Sequence, residues 1–232
     1  NVVVLGLRGF PDVQGGVEKH CEELFPRLVE RGVRVTVLTR SPYMPDGRRV
    51  WKGVELRPLW APRNRTTEAV LHSFFATFRA ALLKPDIVHF QAIGPSLFTP
   101  LARLFGCRVV ATHHGFDYER AKWGQTARAV LRLGERSLRH SHRVIAIAPY
   151  IRDSLCQRLG VNATVIPNGV PIAIPVKPGP TCARHNLRPG KYFLFVGRFV
   201  PEKGIHILLE AYRRLEHEWA LVLAGDADHT DI

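Results

Sequence analysis

The hydrophobic positions of this chain change period in a regular order. Short continuous apolar runs alternate with stretches in which apolar residues recur every three or four positions. The run from Val2 to Leu7 predicts a buried parallel strand. A loop containing Gly9, Pro11, Gly15 and Gly16 follows, and then Val17, Cys21, Leu24, Phe25, Leu28 and Val29 mark one face of a helix that stops near Gly32. The run from Val33 to Leu38 predicts the second strand of a βαβ unit. Further strands are expected around 54–59, 87–90, 109–112, 144–148 and 164–166, with helices at about 68–83, 96–105, 126–139 and 150–159. Alternation of this kind predicts an α/β fold, a doubly wound parallel sheet with helices on both faces.

The pattern changes after Ile166. Prolines at 167, 171, 175, 178, 180 and 189 mark a linker. A strand at 192–196, a helix at about 202–215 and a strand at 219–224 then restart the alternation. A strand–helix–strand unit of about 40 residues buries too little surface to be a full α/β domain. The organisation expected is therefore an amino-terminal Rossmann-like domain over 1–170, a proline-rich linker over 171–190, and the start of a second domain over 191–232.

Composition narrows the partners. The 232 residues are 46% hydrophobic and 23% charged, as in globular proteins, and the net charge is +13. Such a charge calls for an anionic partner: nucleotide phosphates, an acidic membrane surface or nucleic acid. Cys21, Cys107, Cys156 and Cys182 show no paired spacing, which argues against zinc and a disulfide framework and suits a reducing compartment. No apolar run approaches the ~20 residues that cross a bilayer, and no signal peptide is recognisable, so a cytoplasmic location is expected. Without such a signal the glycosylation sequon Asn64-Arg65-Thr66 carries no meaning.

Four stretches carry candidate chemistry. In Phe195-Val196-Gly197-Arg198-Phe199-Val200-Pro201-Glu202-Lys203-Gly204, Arg198 falls at the carboxyl end of a strand and Lys203 beside a helix amino terminus. Open α/β sheets bind anions there, because free N–H groups and the helix dipole favour negative charge. A forked arginine and a mobile lysine would complete a diphosphate clamp; two solvated loop cations are the plainer reading. Gly15 and Gly16 open the first helix, let a ligand approach the backbone and free N–H groups for an anion, with Arg8 adding charge; a tight turn with a helix cap reads the same way. Neither G-x-G-x-x-G nor G-x-x-x-x-G-K-[ST] occurs, which weighs against a nicotinamide dehydrogenase and a P-loop nucleotidase. His113 and His114 end a strand where α/β enzymes place chemistry, but strand neighbours point to opposite faces and no third ligand is evident, so no metal is expected. Arg128, Arg132, Arg136, Arg139 and Arg143 fall at helical spacing opposite Val130, Leu131, Leu133 and Leu138. That stripe suits anionic lipid headgroups or a lipid diphosphate, or is a solvated face.

The segment from Val196 to Ala211, "VGR…PEKG…LLEA", closely resembles the donor-binding signature of family 4 glycosyltransferases, and the resemblance extends over essentially the whole chain. It implies the GT-B fold: two facing Rossmann-like domains with the active site between them, the second incomplete here and without the family's pair of glutamates seven residues apart. It implies retaining, metal-independent transfer of a hexose-like sugar from a nucleotide-diphosphate donor to a growing polysaccharide or lipid-linked acceptor, with no cofactor. In that scheme Arg198 and Lys203 stabilise the leaving diphosphate, His114 orients or polarises the sugar, and Gly15 and Gly16 contact phosphate or acceptor. The leaving phosphate accepts the acceptor proton. The stretch 116–124 resembles an acceptor-side loop, in which Asp117 and Glu119 would bond sugar hydroxyls and Tyr118 or Trp123 would offer a stacking face. Ile166–Val170 resembles the interdomain crossover, a hinge in which Gly169 can take a positive φ. Partners implied are a nucleotide sugar, a saccharide acceptor and, through the arginine stripe, an anionic membrane surface at the inner face of the cell membrane. Nucleic acid is not expected, because no recognised binding motif appears. A nucleotide-sugar epimerase of the same fold, and a non-catalytic or simply basic binding fragment, remain as alternatives; the truncated chain is expected to be inactive alone.

Overall fold

In the computed structural model the described residues are 1–64, 67–120, 123–172, 174 and 176–225. Arg65 and Thr66 of the sequon, Ala121 and Lys122 of the acceptor-side loop, Pro175 of the linker and Asp226 onward lie outside them.

The β-branched runs assemble one sheet. It comprises β1 (Val2–Leu5), β2 (Val35–Arg40), β3 (Val50–Trp51), β4 (Val54–Leu59), β5 (Ile87–Gln91), β6 (Val109–His113), β7 (Arg143–Ala146) and β8 (Ala163–Val165). The spatial order is β3-β4-β2-β1-β5-β6-β7-β8, parallel throughout except that β3 runs antiparallel to β4. The two-residue β3 carries no periodic signal, and the sequence pattern does not reveal it. Val2 of β1 pairs with Val35 on one side and Ile87 on the other.

Alternate residues feed two cores. Val4, Val35, Val37, Val54 and Leu56 pack with Cys21 and Phe25 of α1 (Gly16–Glu30). Val3, Leu5, Val88, Phe90, Val109 and Ala111 pack on the opposite face. They meet Ala76 and Ala80 of α2 (Glu68–Leu82), Ala102 of α3 (Thr99–Leu104), and Ile151 and Leu155 of α5 (Pro149–Leu159). Covering both faces is what a continuous apolar run in a parallel strand requires. β1 and β5 are adjacent, and the strand order reverses between them. Their loops leave in opposite directions and open a crevice at the carboxyl ends.

α4 (Gln125–Ser137) lies between β6 and β7 and continues as a 3-10 turn over Leu138–His140. Arg143 is therefore the first residue of β7 and does not share the helix with Arg128, Arg132 and Arg136. The face opposite the arginines is also mixed: Leu133 is half-exposed, and Gly134 and Glu135 are the buried residues of α4. Gly134 faces the Ile93 carbonyl so closely that a Cβ there would strike it, and that approach, not the apolar periodicity, sets the orientation.

The chain divides into two units, Asn1–Val170 and Pro171–Ile232. In the second, β9 (Tyr192–Val196) pairs in parallel with β10 (Ala220–Ala224), and α7 (Ile205–Arg213) connects them. A five-residue helix, α6 (Pro180–Arg184), sits inside the proline-rich stretch, with Pro180 at the one helical turn that tolerates it. The helix expected from 202 is interrupted. Pro201–Lys203 form a 3-10 turn, Gly204 takes a left-handed conformation, and α7 starts beyond it. Among the described residues β9 has β10 as its strand neighbour, and Leu194 is 55% and Val196 72% exposed.

Candidate active site

The site in the first unit lies at the carboxyl edge of the sheet, beside the β1–β5 crevice. Three elements converge there: the amino terminus of α1, the end of β5 and the end of β6. Gly15 is the residue before α1, with φ 153° and ψ 145°, and no side chain caps the helix. That conformation is essentially restricted to glycine. A Cβ on Gly15 would also collide with the Glu18 carboxylate, whereas one on Gly16 would meet open space. Both glycines are exposed, so the first-turn N–H groups face outward at the positive end of the helix dipole. Arg8 does not stand free beside them. Its guanidinium donates to Glu18 Oε1 at 3.0 Å and to the Gln14 carbonyl, and packs 5.5 Å from the Tyr43 ring centroid.

His114 sits one residue beyond β6. Its Nε2–H donates to Gln91 Oε1 at 2.7 Å, and Gln91 ends β5 with 1% exposure. The Gln91 amide in turn donates to His89 Nε2 at 3.2 Å, and Thr112 Oγ1 lies 2.8 Å from the same nitrogen. This arrangement leaves His114 Nδ1 as an acceptor, buried and without a partner among the described residues. The His20 ring on α1 lies 5.8 Å from that of His114, which ties the first turns of α1 to the end of β6. Burial, reinforced by the neighbouring histidines His20, His89 and His113, pushes His114 down to about 3. Burial and His20 hold His89 down to about 4. A neutral, partly exposed imidazole with a fixed tautomer and a buried acceptor nitrogen therefore stands at the carboxyl edge of the sheet.

His113 has a different fate. It is fully buried, its Nδ1 accepts the Gly115 N–H at 3.2 Å, and its Nε2–H donates to Glu135 Oε1 at 3.2 Å. Glu135 is 1% exposed and also receives Arg158 through Nη1 at 3.1 Å and Nη2 at 2.9 Å, and the Tyr118 hydroxyl at 3.3 Å. Desolvation would raise the Glu135 carboxyl, but the hydrogen bonds from His113 and Arg158 and the Arg158 charge outweigh it and hold it below its ordinary value. His113 thus anchors the loop and α4 to the sheet.

The acceptor-side candidates divide. Asp117 is paired with Arg120 at 2.9 Å, and Glu119 is exposed. Tyr118 is buried, its ring under the Arg132 guanidinium at 5.3 Å, so it offers no stacking face to a sugar. Arg132, Arg136, Arg139, Arg158, Glu135 and Leu159 line a cavity of about 480 Å³ between α4 and α5. Arg139 reaches back to the Leu159 carbonyl at 2.9 Å, while Arg128 lies partly buried one turn before Arg132.

In the second unit Arg198 follows β9 and is partly buried, and Lys203 is exposed on the 3-10 turn before α7. Beside them the ends of β9 and β10 approach so closely that a Cβ on Gly225 would strike the Gly197 carbonyl. Gln91, His89, Glu135 and Arg158 are the participants that sequence reasoning passes over. Only the position of Gln91 at a strand's carboxyl end hints at a role.

Two family models match the chain: Glycosyltransferase Family 4 over residues 14–173 and Glycosyl transferases group 1 over 184–231. A glycogen synthase of Mycobacterium tuberculosis is 27% identical, with 95% of this chain and 60% of that protein covered. A phosphatidyl-myo-inositol mannosyltransferase of the same species is 29% identical, covering 94% and 58%. The chain thus spans about three fifths of the length of these relatives. The sucrose-phosphate synthase structure from Thermosynechococcus elongatus superposes with a TM-score of 0.77 at 22% identity, over 100% of this chain and 63% of that one, and so shares the fold.

Proposed function

The chain belongs to glycosyltransferase family 4, and on that footing we propose that the whole protein transfers a sugar, with retention, from a nucleotide-diphosphate donor to a polysaccharide or lipid-linked acceptor. The observation that carries the reading is the convergence of the neutral His114 imidazole with the open amino terminus of α1 at the β1–β5 crevice. The N–H groups at Gly15 and Gly16 would meet an anionic group of donor or acceptor, and His114 Nδ1 would accept from a sugar hydroxyl and orient the ring. Arg198 and Lys203, at the carboxyl end of β9 and the approach to α7, supply positive charge for the diphosphate as it leaves.

The bond between the anomeric carbon and the phosphate oxygen breaks as the acceptor oxygen bonds to that carbon, and the departing phosphate takes the acceptor proton. Glu18, the carboxylate nearest the α1 terminus, is already engaged by Arg8, which agrees with a route that uses no carboxylate base. Neutral His114 suits a positioning task better than a proton-donating one. No metal ion or cofactor enters this scheme. The cationic cavity between α4 and α5 suits a phosphate-bearing acceptor.

The test uses the full-length protein with a panel of nucleotide sugars and saccharide or lipid-linked acceptors, and follows release of nucleoside diphosphate. Acceptor-dependent release that falls at least about a hundredfold in Arg198→Ala and Lys203→Ala supports the reading, each lost contact to developing charge being worth about 3 kcal/mol. Conversion of the donor without any acceptor would assign an epimerase instead. The anomeric configuration of the product, read by NMR, decides retention.

A further inference from the structure

α2 is amphipathic in an inverted sense. Its sheet side carries His72, Ser73, Ala76, Thr77 and Ala80, all buried. The two hydroxyls are turned back on their own helix: Ser73 Oγ donates to the Ala69 carbonyl at 2.6 Å and Thr77 Oγ1 to the Ser73 carbonyl at 2.7 Å. Small side chains let the helix lie close on the sheet, and the bulky apolar ones point away from it. Phe74, Phe75, Phe78 and Leu82 are 37%, 47%, 39% and 73% exposed. Their rings run on into neighbouring elements. Trp60 lies 6.2 Å from Phe75, Phe74 lies 4.9 Å from Phe78, and Phe78 lies 5.1 Å from Phe105 beyond α3. A helix on a water-facing surface shows the opposite arrangement, and a contiguous apolar patch of this kind marks an interaction surface.

The exposed charge around the ridge is mostly positive. Arg63, Arg79, Lys84, Arg103 and Arg108 are exposed on α2, α3 and their flanking loops. Of the two acids in the same stretches, Glu68 is buried against Arg40 at 3.2 Å, and the exposed Asp86 pairs with the Asn1 amino group at 2.7 Å. An aromatic ridge containing a tryptophan, rimmed by cations, matches the interface of a bilayer with anionic headgroups. A second copy of the chain would bring the same cationic rim against itself, which like-charge repulsion opposes. We propose that the outer face of α2, with Trp60 and Phe105, is a membrane-docking surface for anionic lipid. This places lipid contact on α2 and α3, apart from the arginines of α4, and stands independently of the transferase reading, since vesicle binding needs no donor sugar.

The test is co-sedimentation of the full-length protein with vesicles of phosphatidylcholine alone and of phosphatidylcholine mixed equally with phosphatidylglycerol. Binding to the mixed vesicles that weakens as salt is raised is expected, with a loss of about tenfold or more in the double variant Phe75→Ser, Phe78→Ser. Because that variant exposes less apolar surface, its thermal unfolding is measured alongside. Trp60→Phe keeps the surface apolar and provides the second readout: quenching of tryptophan fluorescence by brominated acyl chains should be present in the natural protein and reduced in this variant. Absence of binding to anionic vesicles overturns the proposal. So does binding untouched by the double variant, or self-association lost in it without any lipid binding. A Trp60 that neither brominated lipid nor acrylamide reaches would show the ridge covered by another part of the protein, and overturns it too.

Discussion

Replacing Gln91 by leucine tests whether the sheet positions His114. The amide stands between two imidazoles, donating to His89 at 3.2 Å and accepting from His114 at 2.7 Å, with 1% of its surface exposed. Leucine fills a similar volume, so the cavity contribution is small. What is lost is two hydrogen bonds of about 1 kcal/mol net each, and the His114 N–H remains without a partner, at a further cost of about 1–3 kcal/mol. The sum is about 3–5 kcal/mol if the ring keeps its place. It falls towards about 2 kcal/mol if the His114 ring turns so that its N–H finds water, and in that case the positioning of the sugar is lost. Urea unfolding should therefore report a stability loss of about 2–5 kcal/mol. Turnover should drop about tenfold to a hundredfold, with donor KM little changed, at 1.4 kcal/mol per decade.

Gln91→Glu separates charge from shape. A carboxylate facing His114 favours the imidazolium and raises His114 from its value of about 3. Protonation removes the Nδ1 acceptor, so the acid limb of the rate profile moves to higher pH. If Gln91→Leu unfolds at the natural midpoint and turns over at the natural rate, the positioning argument is wrong.

Three further outcomes follow from other parts of the fold. Glu135→Ala leaves Arg158 and His113 without their shared carboxylate, and a loss of about 3 kcal/mol is expected in urea unfolding, at the low end for a buried pair because Arg158 is 44% exposed; a change below about 0.5 kcal/mol would contradict the hub. His72, held down to about 4 by burial and Arg40, joins His89 and His114 as imidazoles that stay neutral in the folded chain. Their folded values lie below the unfolded one of about 6.5, so stability is fully present above that pH and declines as pH falls towards 4, by up to about 1.4 kcal/mol per unit for each histidine; equal urea midpoints at pH 7 and pH 5 would refute this. Gly15→Ala forces a Cβ into the Glu18 carboxylate in a glycine-only conformation and should cost about 1–3 kcal/mol and weaken donor or acceptor binding, whereas Gly16→Ala, with open space around it, should be close to neutral in calorimetric titration.

Much of the architecture was legible because it is local. The apolar runs at β1, β2, β5 and β6, and the three-to-four spacing of α1, α2 and α5, encode period and length within a few consecutive residues. The family signature from Val196 to Ala211 was legible for the same reason, as was the location of Gly15, Gly16 and His114 at turns leaving strand ends. Errors arose where a neighbour overrode the period. The arginine stripe was extended through Arg143, which the sheet captures as a strand.

The sequence by itself determined the order of strands and helices, the basic charge and which residues stand at strand ends, since each is a property of adjacent positions. The tertiary structure decided which histidine is fully enclosed and which stands partly exposed at the sheet edge. His113 meets Glu135 from 22 positions away, and His114 meets Gln91 from 23. It also decided that α2 turns its small residues inward and its phenylalanines outward, which the apolar count of that helix conceals. Contacts between distant positions exist only once β5, β6 and the helices are laid side by side, and burial, which sets the protonation of each imidazole, is created by that same packing.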